Sequence, residues 1–131
     1  MKTHILLVDD DSDELEILSA ALQNIGIDHK CTWAHGVTHA LRIMQHLIPD
    51  VIFIDHNMPP IGGIEGIRLI RARQELQEVP LVLYSNSVTE KSSAEALRLG
   101  ATACIQKPSC MADLNKRMQD FFTSLKNRCN R

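Results

Sequence analysis

Carboxylates, a hydroxyl and an ammonium each stand directly after a short apolar run in this sequence, and their order suggests a chemistry. Asp9, Asp10 and Asp11 follow the run His4 to Val8, and Asp55 follows Val51 to Ile54. Ser85 follows Leu81 to Tyr84, and Lys107 comes just after Ala101 to Ile105. Crowded carboxylates repel, and each resists ionisation unless a cation compensates. An oxygen-only donor set suits a hard ion such as Mg2+, which takes one or two carboxylates and keeps several waters. A carboxylate such as Asp55 can then act as a nucleophile towards phosphorus and form an aspartyl phosphate. Such a transfer asks for little beyond position and charge stabilisation. Lys107 offers a positive charge to phosphoryl oxygens and Ser85 a hydroxyl donor.

Taken singly, each residue has a plainer reading. An acid after a strand commonly caps the next helix, and Asp11 with Glu14 three residues on resembles a capping box. Ser85 alone reads as a turn residue and Lys107 alone as a surface charge. The chemistry requires that all four strand ends converge, so the elements that carry them decide the question.

Those elements alternate. His4 to Val8 reads as a buried strand, and from Asp13 the apolar residues Leu15, Ile17, Leu18, Ala21, Leu22 and Ile25 recur at helical spacing until Gly26. Ile27 to Ala34 reads as a more polar strand at a sheet edge, and Val37 to Leu47 as a second helix. Val51 to Ile54 is apolar at consecutive positions, as in parallel strands covered on both faces. A loop with two prolines and two glycines, His56 to Gly63, leads to a helix from Ile64 to about Gln74. Leu81 to Tyr84, a helix from Ser87 to Leu99, the strand Ala101 to Ile105 and a helix from about Cys110 to Leu125 complete the pattern. Five strands alternating with five helices predict an α/β fold, a doubly wound parallel sheet of order 2-1-3-4-5. In that order the crevice at the reversal lies between the first and third strands, beyond their carboxyl ends. Asp9, Asp10 and Asp55 fall there.

Composition bounds the alternatives. The 131 residues suit one domain, 1–131, with no linker or separate output domain expected. A formal net charge of -2 excludes a strongly basic nucleic-acid footprint. No apolar run approaches the ~20 residues that span a bilayer, and the start of the chain is too short for a signal peptide, so a cytoplasmic protein is expected. The cysteines at 31, 104, 110 and 129 form no C-x-x-C and read as reduced thiols. His35 and His39, four apart, lack a third ligand and read as surface residues.

The whole pattern resembles the receiver domain of bacterial two-component response regulators, whose fold is flavodoxin-like. The resemblance is carried by Ile5-Leu6-Leu7-Val8-Asp9-Asp10, Pro49-Asp50-Val51-Ile52-Phe53-Ile54-Asp55, Asn57-Met58-Pro59 with Gly63, Gly100-Ala101 and Lys107-Pro108. It implies a phosphorylation-dependent switch that is no enzyme beyond catalysing its own phosphoryl transfer and dephosphorylation. Asp55 would be the phosphoacceptor, Asp10 a direct Mg2+ ligand, Asp9 a ligand largely through water, and the Asn57 carbonyl a further ligand. Ser85 and Lys107 would contact the phosphoryl group, and the Lys107–Pro108 bond would be cis. A histidine kinase or histidine phosphotransfer protein would be the donor. An effector protein would read the face of helix four, strand five and helix five, with no direct contact to nucleic acid or membrane.

Three departures stand out. Cys104 occupies a strand-five position usually held by Phe or Tyr, and Tyr84 lies on the neighbouring strand. Asn86, after the switch hydroxyl, is bulkier than the small residue common there and predicts slower phosphorylation. Pro60-Ile61-Gly62 lacks a frequent acid, which is read as neutral. The competing function is a phosphorylation-independent docking module. A haloacid-dehalogenase-type phosphatase needs an acid where Asn57 stands, and a flavodoxin-like nucleotide binder needs a phosphate-cradling loop where three aspartates stand.

Overall fold

The apolar runs become the inner strands of one sheet because their side chains alternate between two cores. In the computed structural model, which describes residues 2–129, β1 (Thr3–Val8), β2 (His29–Ala34), β3 (Val51–Ile54), β4 (Leu81–Ser85) and β5 (Ala103–Gln106) are all parallel, in the order β2-β1-β3-β4-β5. Ile5, Leu7, Val51, Phe53, Val82 and Tyr84 point to one face. Leu6, Val8, Ile52, Ile54, Leu81 and Leu83 point to the other. A strand with a core on both sides cannot show polar alternation, which is why these runs read as uninterrupted.

Helices cover each face. α1 (Asp13–Asn24) contributes Leu18, Ala21 and Leu22 to the first core, and α5 (Met111–Cys129) adds Leu114, Met118 and Phe121. Phe53 meets Tyr84 and Phe121 edge-on at centroid distances of 5.7 and 5.8 Å, a favoured aromatic geometry. α2 (Val37–Ile43), α3 (Gly63–Arg71) and α4 (Glu90–Arg98) cover the second face through Val37, Ala40, Ile67, Ile70 and Ala96. The doubly wound sheet expected from the sequence is therefore present in its full strand order.

Boundaries differ from the sequence reading where side chains or tertiary contacts decide them. β2 starts at His29, since Ile27 is held in a turn by its N–H bond to the Leu22 carbonyl. α4 begins at Glu90 because Thr89 and Ser92 form a reciprocal capping box, which keeps Ser87 outside the helix. α2 ends at Ile43 and α3 at Arg71, with a short 3-10 turn over Gln74–Leu76. The final helix runs on to Cys129, past the end at Leu125 read from the sequence. Gly26 and Gly100 do close α1 and α4, at φ of 77° and 113°, where a side chain would be strained. Among the described residues no helix is long and apolar enough to cross a membrane.

Candidate functional site

Strand register delivers the charged residues to one edge. Val8 pairs with Ile54, so Asp9 and Asp55, the next residues, emerge side by side. The Asp55 N–H donates to the Val8 carbonyl at 2.9 Å, and the Asp9 N–H to the Ala34 carbonyl at 3.0 Å. Ser85 pairs with Gln106, and the Lys107 N–H donates to the Ser85 carbonyl at 2.8 Å. Four strand ends thereby share one rim, as the chain order of these residues implied.

The carboxylates meet. Ligand oxygens of Asp9, Asp10 and Asp55 lie within 4.8 Å of one another, with Asp9 and Asp55 buried and Asp10 exposed. Lys107 reaches into the same notch: its Nζ donates to Asp9 Oδ2 at 2.8 Å and stands 3.9 Å from Asp55 Oδ1. Glu14 Oε2 is 3.6 Å from the same nitrogen. Three carboxylates, of Asp9, Glu14 and Asp55, thus face one ammonium, Asp10 adds a fourth to the cluster, and the notch carries surplus formal negative charge.

Burial dominates the titration of these groups, with their charged neighbours next. Burial raises the Asp9 carboxyl above its ordinary value, outweighing the Lys107 hydrogen bond and the Asp11 N–H that its Oδ1 accepts at 2.9 Å. Glu14 is likewise raised by burial, with Asp9 and Asp11 adding repulsion. Burial works against the Lys107 ammonium, but the Asp9 hydrogen bond and the surrounding carboxylates hold it above its usual value, so it stays charged. Its Nζ also sits 5.2 Å from the centre of the Tyr84 ring. Tyr84 is 1% exposed and its phenol is pushed up by burial, so it serves as a floor beneath the ammonium.

An all-oxygen donor set with surplus negative charge matches a hard divalent cation better than a soft one. Asn57 lies on the β3–α3 loop beside this notch, and its side-chain N–H donates to Ser87 Oγ at 2.7 Å. The Ser87 N–H in turn donates to Ser85 Oγ at 3.4 Å, with Ser85 itself 1% exposed. The β3–α3 and β4–α4 loops are therefore tied together over the strand ends. His56 Nδ1 is buried without a hydrogen-bond partner, and nothing in the structure accounts for it.

Two expectations at this site are corrected. Lys107–Pro108 is not cis; among the described residues the cis peptide is Pro59–Pro60. Trans is the majority state of any X-Pro bond, and Lys107 reaches Asp9 without the isomer that the resemblance implied. Asp11 and Glu14 do not form a capping box either. Ser12 is the N-cap without a side-chain bond, and Asp11 Oδ1 instead accepts the Asp13 N–H at 3.0 Å. Glu14 turns away from the helix end towards the Lys107 ammonium, where a charge partner is available.

A model of the response regulator receiver domain matches residues 5–119. The chain belongs to that family. The chemotaxis protein CheY-3 of Vibrio cholerae is 30% identical over 121 residues, covering 92% of each chain. The solved chemotaxis response regulator CheY4 of Vibrio cholerae superposes with a TM-score of 0.75 at 26% identity, covering 92% of this chain and 98% of that one. The fold alone is also shared with the phosphorylated cyanobacterial phytochrome response regulator RcpA, at a TM-score of 0.82 and 22% identity over 92% and 91% of the two chains. This receiver domain is thus a two-component signalling domain of the CheY type, and it shares the fold of its structural neighbours.

Within the family frame, two contributors were not found from sequence. Glu14 looked like a capping residue. Trp33 falls within the edge strand read over Ile27 to Ala34, and its Nε1–H donates to the Asp9 carbonyl at 2.8 Å, which fixes the main chain beside the notch. Cys104 is half-buried against the second core and its Sγ lies 3.8 Å from the Ser93 carbonyl, so it is packed towards α4.

Proposed function

We propose that this receiver domain accepts a phosphoryl group on Asp55 and passes the resulting change to another protein. The observation that supports this most is the convergence of three carboxylates within 4.8 Å beside an ammonium 3.9 Å from Asp55 Oδ1. Asp9, Asp10, Asp55 and the Asn57 carbonyl are the groups suited to hold Mg2+, which supplies charge neutralisation for phosphoryl oxygens when bound. An Asp55 carboxylate oxygen attacks the phosphorus of the donor as the bond to the leaving group breaks: the P–N bond of a phosphohistidine, with imidazole taking the electron pair, or the P–O bond of acetyl phosphate, with acetate taking it. Lys107, kept protonated by its neighbours, is placed to bind the phosphoryl oxygens, and Ser85 has a hydroxyl to donate. The donor is a histidine kinase or phosphotransfer protein. The reader is an effector at α4, β5 and α5, where Leu97 and Met111 are exposed and Cys104 replaces an aromatic.

Intact-mass measurement with acetyl phosphate and Mg2+ tests the reading. One phosphoryl group is expected, removed by hydroxylamine as an acyl phosphate is, and absent when EDTA is present. A protein that gains nothing, or whose adduct survives hydroxylamine, leaves the docking module as the function.

Magnesium should also stabilise the fold in a pH-dependent way. Asp9 and Glu14 have folded values above those of the unfolded chain, so the native state binds protons more tightly. Stability therefore falls as pH rises from the ordinary carboxylate range, about 4, through the raised folded values. A divalent cation offsets that loss only where the carboxylates are ionised. The melting-point gain from MgCl2 is expected to be larger at neutral pH than near pH 5, with each tenfold excess over Kd adding about 1.4 kcal/mol. An equal or larger gain at the acidic end contradicts the assignment.

Asn86 is exposed, and its backbone carbonyl accepts from Gln106 Nε2 at 3.3 Å. Asn86→Ala removes bulk beside the acceptor while sparing that bond. Phosphorylation by acetyl phosphate should be faster by roughly two- to tenfold, a barrier change of up to about 1.4 kcal/mol. Identical rates would dismiss the steric argument.

A further inference from the structure

A second set of groups with reactive geometry lies at the opposite end of the edge strand. His29 is the first residue of β2, five residues before Ala34 and so roughly 16 Å from the acidic rim. Its Nδ1 lies 2.8 Å from the Ile27 carbonyl oxygen, which can only accept, so Nδ1 carries the proton. In the neutral ring Nε2 is then the free acceptor, and Ser19 Oγ of α1 stands 2.8 Å from it. The Ser19 hydroxyl donates to Nε2. This is the order nucleophile, base, orienting acceptor that activates a serine, with a backbone carbonyl as the orienting group.

The pair is also accessible. Ser19, Gln23 and His29 line two adjoining surface grooves, one reaching Asp28 and the other Cys31. Gln23 is one helical turn beyond Ser19 and carries the amide N–H donors that a developing oxyanion needs. Cys31 is no rival nucleophile, since burial pushes its thiol up to about 11 and keeps it protonated at neutral pH.

We propose that Ser19 is an acyl-acceptor site for activated esters, with His29 as its base and Gln23 as oxyanion donor. Ser19 Oγ bonds to the ester carbonyl carbon while its proton passes to His29 Nε2. The ester C–O bond breaks, the alcohol or phenol oxygen leaves with the electron pair, and it takes the proton from His29 directly or through water. The products are an O-acylserine and the free alcohol or phenol. The site is independent of Asp55 chemistry and stands whether or not that chemistry does.

The full chain is incubated with p-nitrophenyl acetate in magnesium-free buffer at neutral pH, with nitrophenolate release followed and the label located by peptide mapping. One acetyl group on Ser19 is expected in wild type, none at that site in Ser19→Ala, and labelling slowed by about 10²-fold in His29→Gln. A wild-type map with acetyl only on lysines or thiols overturns the proposal, whatever the variants do. Ser19 labelled equally fast in His29→Gln overturns it as well.

Discussion

Asp55→Asn protein incubated with Mg2+ and acetyl phosphate is expected to gain no phosphoryl group, and wild type to gain one. The substitution keeps the shape and nearly the volume of the side chain, and replaces a nucleophilic oxygenate by a neutral amide. No neighbouring carboxylate is placed to take over. Asp9 Oδ2 accepts from Lys107 at 2.8 Å and its Oδ1 from the Asp11 N–H, so both its oxygens are engaged. Asp10 is exposed beyond the buried part of the notch.

Loss of folding does not explain the result, because the same substitution relieves repulsion. With Asp55 neutral, Lys107 retains its shorter contact to Asp9 and loses only the one at 3.9 Å. Among like charges, removing one lowers the cost of ionising the rest. In magnesium-free buffer the Asp55→Asn protein is therefore expected to melt at or above the wild-type temperature. Magnesium should stabilise it less than wild type. Phosphorylation of this variant at the wild-type rate, or a melting point well below wild type without metal, contradicts the account.

Much of this arrangement was legible in the sequence because parallel strands share an edge. Once Val8, Ile54, Tyr84 and Ile105 are read as strand residues ending near one rim, the residues after them must meet there. That inference needs only the local apolar pattern and the handedness of crossovers. Glu14 and Trp33 escaped it because their roles depend on distances across the fold: Glu14 answers to an ammonium 93 positions away, and Trp33 to the Asp9 carbonyl just past the end of the next strand. An acid in the first turn of a helix carries no mark that distinguishes capping from charge pairing. The Lys107–Pro108 isomer was misjudged for a similar reason, since local sequence leaves an X-Pro bond with two accessible states. The α4 start at Glu90, rather than the expected Ser87, is set by a capping box whose second partner is Ser92, where Glu or Gln is the usual sequence mark.

The closest link between scaffold and site is a glycine. Gly63 opens α3, and its N–H donates to the His56 carbonyl at 2.8 Å. A Cβ at this position would lie 2.2 Å from the Asp55 carbonyl oxygen and 2.9 Å from His56 Cα. These are backbone atoms and cannot swing aside as a side chain can, so the β3–α3 loop must shift as a unit. Gly63→Ala is expected to cost about 3 kcal/mol or more, at the upper end for overpacking. In a domain of this size that lowers Tm by on the order of 10 °C. The same shift displaces Asn57 and the main chain next to Asp55, so Mg2+ stabilisation should shrink with it. Gly36→Ala provides the comparison: nothing lies within 4 Å of a Cβ there and its φ of -175° is extended backbone open to any residue. As an N-cap replacement it should cost no more than about 1 kcal/mol. If Gly63→Ala melts no lower than Gly36→Ala, the loop has slack that the close approach denies, and the packing of α3 against β3 is not what fixes the site.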